Sequence, residues 1–121
     1  GERQRALIGR ALMSKPKLLM LDEPCAGLDP VAREHFLQFL NRLGNQRNTP
    51  TIVLITHHVE EIMAVFTHAL LLRDGKDAAQ GPVKNILTSK FMSDAFEYPV
   101  KLHRRNGRYW LTALPKNKTV M

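Results

Sequence analysis

Cysteine is almost missing from this sequence. Cys25 is the single one in 121 residues, which excludes an intramolecular disulfide and fits a reducing compartment. No apolar run approaches the roughly 20 residues that a membrane-spanning helix needs. The opening GERQR has no apolar segment behind its charges, so it lacks the pattern of a signal peptide. There is no internal repeat, no low-complexity stretch and no long heptad pattern. No G-x-x-x-x-G-K-[ST] occurs, so these residues contain no glycine-rich loop to cradle phosphates and no lysine to reach them. Acid is missing from one end: residues 98 to 121 hold six basic residues (Lys101, Arg104, Arg105, Arg108, Lys116, Lys118) and no Asp or Glu.

What is there suits a domain of ordinary size. Hydrophobic residues make up 44%, enough for a packed core. The net charge is +7, yet residues 1 to 97 carry twelve basic against eleven acidic residues. The basic character therefore belongs to the tail, and partners argued from charge must be argued for the tail alone.

Residues 2 to 13 read as a helix with Leu7 and Ala11, and Ile8 and Leu12, as apolar pairs, while Arg3, Arg5 and Arg10 can face out. Lys15-Pro16-Lys17 breaks it. Residues 18 to 22 are a short apolar run, the pattern of a parallel strand covered on both faces. Asp29-Pro30 starts a second helix, with Asp29 as N-cap, Phe36, Leu37, Leu40 and Leu43 on one face, and Gly44 as the stop. TIVLIT, residues 51 to 56, is a second buried strand. Residues 58 to 66 read as a helix with Val59, Ile62, Met63 and Phe66 on one stripe. HALLLR, 68 to 73, is a third strand, followed by an Asp74-Gly75 turn, a returning strand over 77 to 80 and a short helix near 83 to 88. Helix and strand alternate, which implies α/β layering with parallel strands. FMSDAFEY, 91 to 98, would lead the chain away. PVKLHRRNGRYWLTAL would then form a hairpin turning at Asn106-Gly107, with Arg104, Arg105 and Arg108 at its tip.

The segment LLMLDEPCAGLD, 18 to 29, drives an apolar strand straight into Asp22 and Glu23. A strand ending this way delivers two carboxylates to the carboxyl edge of a parallel sheet, where open α/β folds place ligands. A strand-end Asp suits Mg²⁺, and an adjacent carboxylate can orient and deprotonate a water. Together with an anionic phosphate, these are the parts of phosphoryl transfer. Two carboxylates merely solvated at a strand end would look the same in this segment alone.

The surrounding motifs add to this. GERQRALIGRAL resembles the end of an LSGGQ or LSGGE signature and its helix. LLMLDEP resembles a Walker B segment with its following Glu, Ala26 to Asp29 a D-loop, and Ile55 to His58 an H-loop, and LLLRDGKDAAQG resembles a last core hairpin. Together they resemble the carboxyl-terminal half of an ATP-binding cassette (ABC) ATPase domain over residues 1 to about 88. The resemblance implies an α/β fold, part of a P-loop NTPase (RecA-like) parallel-sheet core, with residues 89 to 121 as a basic extension bearing the hairpin. It also implies an ATPase in the complete parent protein that drives a membrane permease, using ATP and Mg²⁺, paired as a homodimer or with another ATPase subunit. Such a subunit is cytoplasmic, peripheral at the inner face of the cell membrane.

Residue by residue, the resemblance makes Asp22 a Mg²⁺ ligand, Glu23 the general base and His57 the γ-phosphate contact; chemistry alone would equally allow His58. Asp29 would communicate across a dimer, compatibly with capping its helix. Gly1 and Glu2 would lie near nucleotide held by the opposite subunit. Cys25 reads as a small packed thiol, since no basic residue adjoins it in sequence. A complete domain would place a Walker A strand and a Q-loop before Gly1, so the chain reads as a fragment, inactive by itself, with apolar faces and strand edges left exposed. Two other readings are a non-catalytic interaction module and an ABC-type ATPase acting on nucleic acid. The second lacks the long coiled coil expected of it, and no sequence-specific nucleic acid contact is expected. The basic tail would suit an anionic surface.

Overall fold

The computed structural model describes residues 2–115. They fall into two compact units that divide between Val65 and Phe66. Each contains two-stranded sheets packed with helices, a mixed α/β arrangement.

The first unit begins with α1 (Glu2–Leu12), followed by β1 (Leu18–Asp22), α2 (Pro30–Gly44) and β2 (Thr51–Ile55). Helix α2 forms where its sequence signals stand. The Asp29 side chain accepts from the Ala32 amide at 2.8 Å, and Pro30 occupies the first turn, where its missing N–H has no helical partner to lose. The inward stripe is Phe36, Leu37, Leu40 and Leu43, with Phe36 and Leu40 wholly inaccessible. Burying each such side chain stabilises the fold by about 1.5–3 kcal/mol. Gly44 ends the helix, but not as a left-handed cap. Asn45 caps with ordinary right-handed geometry, and a Cβ on Gly44 would strike the Val65 side chain. Glycine is required there for close approach. Asn41 accepts from the Val65 amide at 3.0 Å and holds the same segment.

Strands β1 and β2 pair in parallel, Leu18 opposite Thr51 through Asp22 opposite Ile55, with α2 as the crossover. The parallel expectation holds for this pair. Cover on both faces does not: Leu19 is buried, while Leu18 and Met20 are more than half exposed. No third strand flanks the pair among the described residues, so both backbone edges are open as well. In α1 only Ile8 is buried, and Leu7 is exposed. Arg5, expected to face out, reaches α2, donating to the His35 carbonyl at 3.1 Å with its guanidinium over the Phe39 ring.

The helix expected over 58 to 66 is reduced to a 3₁₀ turn, Val59–Glu61. The Thr56 hydroxyl competes for the backbone here by accepting from the His58 amide at 3.0 Å. The β-branched residues Val59, Ile62 and Val65 add little helix propensity. Val59 and Met63 are buried all the same.

The second unit opens with β3 (His68–Arg73) and β4 (Lys76–Pro82), an antiparallel hairpin turning at Asp74-Gly75 with a register shift between Leu71 and Leu72. The third strand thus pairs with its neighbour in sequence and not in a continued parallel sheet. A two-residue turn closes the smallest loop and so costs the least chain entropy. Two short helices follow, α3 (Val83–Ile86) and α4 (Ser89–Phe96). Residues 91 to 98, expected as a connection, are therefore largely helical. Thr88 caps α4, its hydroxyl accepting from Phe91, and Glu97 ends it in the left-handed region. Ser93 Oγ donates to the Val100 carbonyl and accepts from its amide, so α4 is fastened to β5 (Val100–Arg105). Strand β6 (Arg108–Ala113) returns against β5. The turn lies at Asn106-Gly107, both at positive φ, as a two-residue hairpin turn of this hand requires.

Arg104 and Tyr109 stand opposite each other on the face of Val100 and Leu102, and Arg105 and Arg108 on the other. The tip arginines are thus divided between two faces. Among the described residues no helix is long and apolar enough to cross a membrane.

Candidate functional site

The carboxyl ends of β1 and β2 lie side by side because the two strands run parallel in register. Asp22 sits opposite Ile55, exposed, at the last rung. The Glu23 amide donates to the Ile55 carbonyl at 2.9 Å, so the pairing continues one step past the strand. Glu23 then turns out of the sheet at φ 50°, and Ala26 donates to its carbonyl at 3.1 Å. A non-glycine residue held in the left-handed region costs of order 1–2 kcal/mol, and such strain gathers at functional sites.

The turn aims the Glu23 carboxylate at the segment after β2. Its Oε1 lies 3.6 Å from His57 Nε2, within ion-pair reach and beyond a hydrogen bond. That oxygen is buried and has no hydrogen-bond partner, whereas His57 is 85% exposed at its side chain. A buried acceptor without a donor costs about 1–3 kcal/mol. His58 instead approaches Glu60, at 4.0 Å.

Beside the pair is a pocket of about 250 Å³ lined in part by Glu23, Cys25, Arg33, His58 and Glu61. The Cys25 thiol is pushed up to about 11 by burial first, then by the negative charges of Glu61 and Glu23, with Arg33 pulling the other way. A basic group does reach Cys25 in space, but burial outweighs it, and the thiol stays protonated at neutral pH. The reading of a packed, unreactive thiol fits this.

Of the residues singled out in the sequence, the structure brings Glu23 and His57 together and leaves Asp22 one step away on the strand. Asp29 is engaged locally as the cap of α2. Glu2 is exposed in the first turn of α1, and Gly1 lies outside the described residues. No group of three or more metal-ligating side chains stands together among the described residues. Two residues went unnoticed in the sequence: Arg33, on the first turns of α2, and Glu61, at 3% exposure. The available signal for Glu61 was a carboxylate set among Val59, Ile62 and Met63.

A family described as "AAA domain, putative AbiEii toxin, Type IV TA system" matches residues 1–64. The ABC transporter ATP-binding protein YlmA of Bacillus subtilis (strain 168) is 46% identical over 112 residues, 93% of this chain and 42% of that protein. YmeB of Lactococcus lactis subsp. lactis (strain IL1403), also named an ABC transporter ATP-binding protein, is 41% identical over 117 residues, 97% of this chain and 44% of that protein. A solved structure titled "An inward-facing conformation of a putative metal-chelate type ABC transporter" superimposes with a TM-score of 0.76 at 29% identity, covering 97% of this chain and 47% of that one.

The fold thus defines part of a domain of the P-loop NTPase class. Within that class the chain belongs to the ATP-binding cassette family of transporter ATPases. It spans less than half the length of the curated relatives it matches.

Proposed function

We propose that the chain is the water-activating part of an ATP-hydrolysing ABC subunit, which drives a membrane permease from the cytoplasmic face. The observation that carries this is the buried, partnerless Glu23 Oε1 held 3.6 Å from His57 at the joined ends of two parallel strands. A carboxylate oxygen with an unused lone pair, kept in place by a turned backbone, is what a general base needs. Glu23 takes the proton of the attacking water. His57, exposed beside it, donates to the terminal phosphate. Asp22, exposed at the strand end, is the residue that would hold Mg²⁺. When bound, Mg²⁺ neutralises phosphate charge as the bond breaks.

The remaining roles extend the same reading. Asp29 meets a second ATPase subunit, while Gly1 and Glu2 face nucleotide held by that subunit. Residues 1–88 form the cassette portion, and residues 89–121 form a basic extension. The phosphate-cradling loop is supplied from outside these 121 residues.

The test uses a complete cassette containing this chain. Glu23→Gln keeps the shape and removes the base, so hydrolysis falls about 10²-fold or more while ATP binding persists. Near-normal turnover would exclude Glu23 as the base. Mg-ATP titrated into the 121 residues alone binds only weakly; micromolar affinity by calorimetry would overturn the division of the site.

A second reading concerns the hairpin. On its outer face Trp110 stacks on His103 with ring centroids 5.0 Å apart, flanked by Lys101 and Arg105, with no acid between 98 and 121. We infer a salt-sensitive attraction to an anionic surface. Changing Arg104, Arg105 and Arg108 together to Ser weakens binding to anionic vesicles at low salt; unchanged binding would make the hairpin purely structural.

A further inference from the structure

We propose that Glu61 is a positioning residue for hydrolysis, which through Thr56 holds the turn that presents His57 to Glu23. The inference rests on the roles just given to Glu23 and His57.

His57 cannot be placed by its own packing, because its side chain is 85% exposed. Its direction is decided by the backbone on either side, and that backbone is closed into a ring. Thr56 Oγ1 donates to Glu61 Oε1 at 2.7 Å. The same oxygen accepts from the His58 amide at 3.0 Å. The Glu61 amide in turn donates to the His58 carbonyl at 3.1 Å. These three bonds tie Thr56, His58 and Glu61 together, with His57 enclosed between two of them.

The carboxylate sets the direction of this relay. A hydroxyl has one hydrogen and two lone pairs, and an ionised carboxylate only accepts. With its hydrogen committed to Glu61, Thr56 can only accept from His58. The choice of residue is also costly. Glu61 is 3% exposed, between the buried Val59 and Met63. Desolvating a carboxylate is expensive, and an apolar side chain of similar volume is often at least as stable. A charge kept in such a place needs a reason beyond stability, and the bond to Thr56 supplies one. Glu61 also faces the Cys25 pocket with Arg33, and its negative charge is felt at the Cys25 thiol.

The test is kinetic, in a complete cassette containing this chain, with Glu61→Ala, Glu61→Gln, Thr56→Val, the Glu61→Ala/Thr56→Val double variant and His57→Ala. Misplacing a catalytic group by about an ångström costs up to about 10²-fold in rate. Glu61→Ala and Thr56→Val should each lower kcat about tenfold or more, with KM for ATP little changed. Glu61→Gln keeps an acceptor oxygen for Thr56 and should restore most of the rate. The double variant should be no slower than the slower single one, because both remove the same link. Wild-type kcat in Glu61→Ala, equal loss in Gln and Ala, or multiplying effects in the double variant would each overturn the inference. If Glu61→Ala fails to fold, as thermal melting would show, Thr56→Val decides alone, and wild-type turnover there overturns it. The His57 imidazole resonances give a readout independent of turnover. They should shift in Thr56→Val and Glu61→Ala but not in Glu61→Gln, and unshifted resonances in the first two overturn the link. His57→Ala with undiminished turnover would instead defeat the role given to His57, while those shifts would still report the link.

Discussion

Two pairs of strands in this molecule are built on opposite plans. β5 and β6 meet through a two-residue turn, and each residue there does what turn chemistry asks: Asn106 and Gly107 sit at φ 52° and 74°. β1 and β2 meet only after a whole helix has crossed between them, and positive φ at their end falls on Glu23, where no hairpin requires it. One pair satisfies its local rules, leaving strain nowhere. The other leaves a turned acid, an orphaned oxygen and an uncovered apolar face. Departures from local preference gather where chemistry is done, since a site must hold groups in positions that folding alone would not choose.

The comparison can be broken first in the cores. Phe36, on the inward face of the parallel pair's crossover helix, is wholly buried, while Trp110 on the hairpin is 41% exposed. Phe36→Ala should cost about 3–5 kcal/mol in urea unfolding, and Trp110→Ala clearly less. Equal losses would mean that the hairpin carries as much of the fold as α2.

A smaller effect follows from pH. The folded Cys25 thiol titrates at about 11, above the roughly 8.5 of an unfolded cysteine. Below both values the thiol is protonated in either state, and stability is unaffected. As pH rises past the unfolded value, only the unfolded chain loses its proton. Stability therefore falls between about pH 8.5 and 11, by at most about 3–4 kcal/mol. Denaturation of Cys25→Ala over the same window should show a shallower decline. Identical slopes would place Cys25 in water.

Two glycines sharpen the contrast further. Gly44→Ala drives a methyl into Val65 and should cost about 1–3 kcal/mol through overpacking. Gly107→Ala meets open space and should cost only about 1 kcal/mol, from its positive φ. Thermal melts of the two variants would read the difference, and a reversed order would show that turn strain outweighs packing. Smallest of all is Glu23→Gly. Relief of the left-handed backbone is offset by the greater freedom of unfolded glycine, so a gain of roughly 0.5 kcal/mol is expected. Hydrolysis in a complete cassette is lost in the same variant. A fall in stability would show that Glu23 is not strained.

Much of the architecture was legible because its signals are short-range. Asp29-Pro30 announces α2, Asp74-Gly75 and Asn106-Gly107 announce hairpins, and each signal acts within a few residues. The resemblance of LLMLDEP and of Ile55 to His58 to family motifs selected Glu23 and His57, the pair that meets in space, where chemistry alone left His58 open. The helix expected after His58 was misread because its apolar stripe is genuine: Val59 and Met63 are buried, but Thr56 takes the backbone amide first. Arg5 was misread because a charge at helical spacing carries no record of a neighbouring helix. Glu61 was missed because an acid among apolar residues looks like a solvated face until its burial is known.

By itself, then, the sequence determined where α1, α2 and the strands begin, which turns close the hairpins, which family the chain resembles and which acids stand at a strand end. These depend on residues within one or two turns of each other, where backbone sterics and caps act directly. The tertiary structure alone decided that Glu23 leaves the sheet left-handed, that its oxygen stops 3.6 Å from His57, that Glu61 is buried beneath Thr56 and that Leu18 and Met20 stay open. The Glu23–His57 approach depends on groups distant in the chain that meet only when the parallel strands align, whereas Thr56 and Glu61 stand five residues apart and meet through the short 3₁₀ turn.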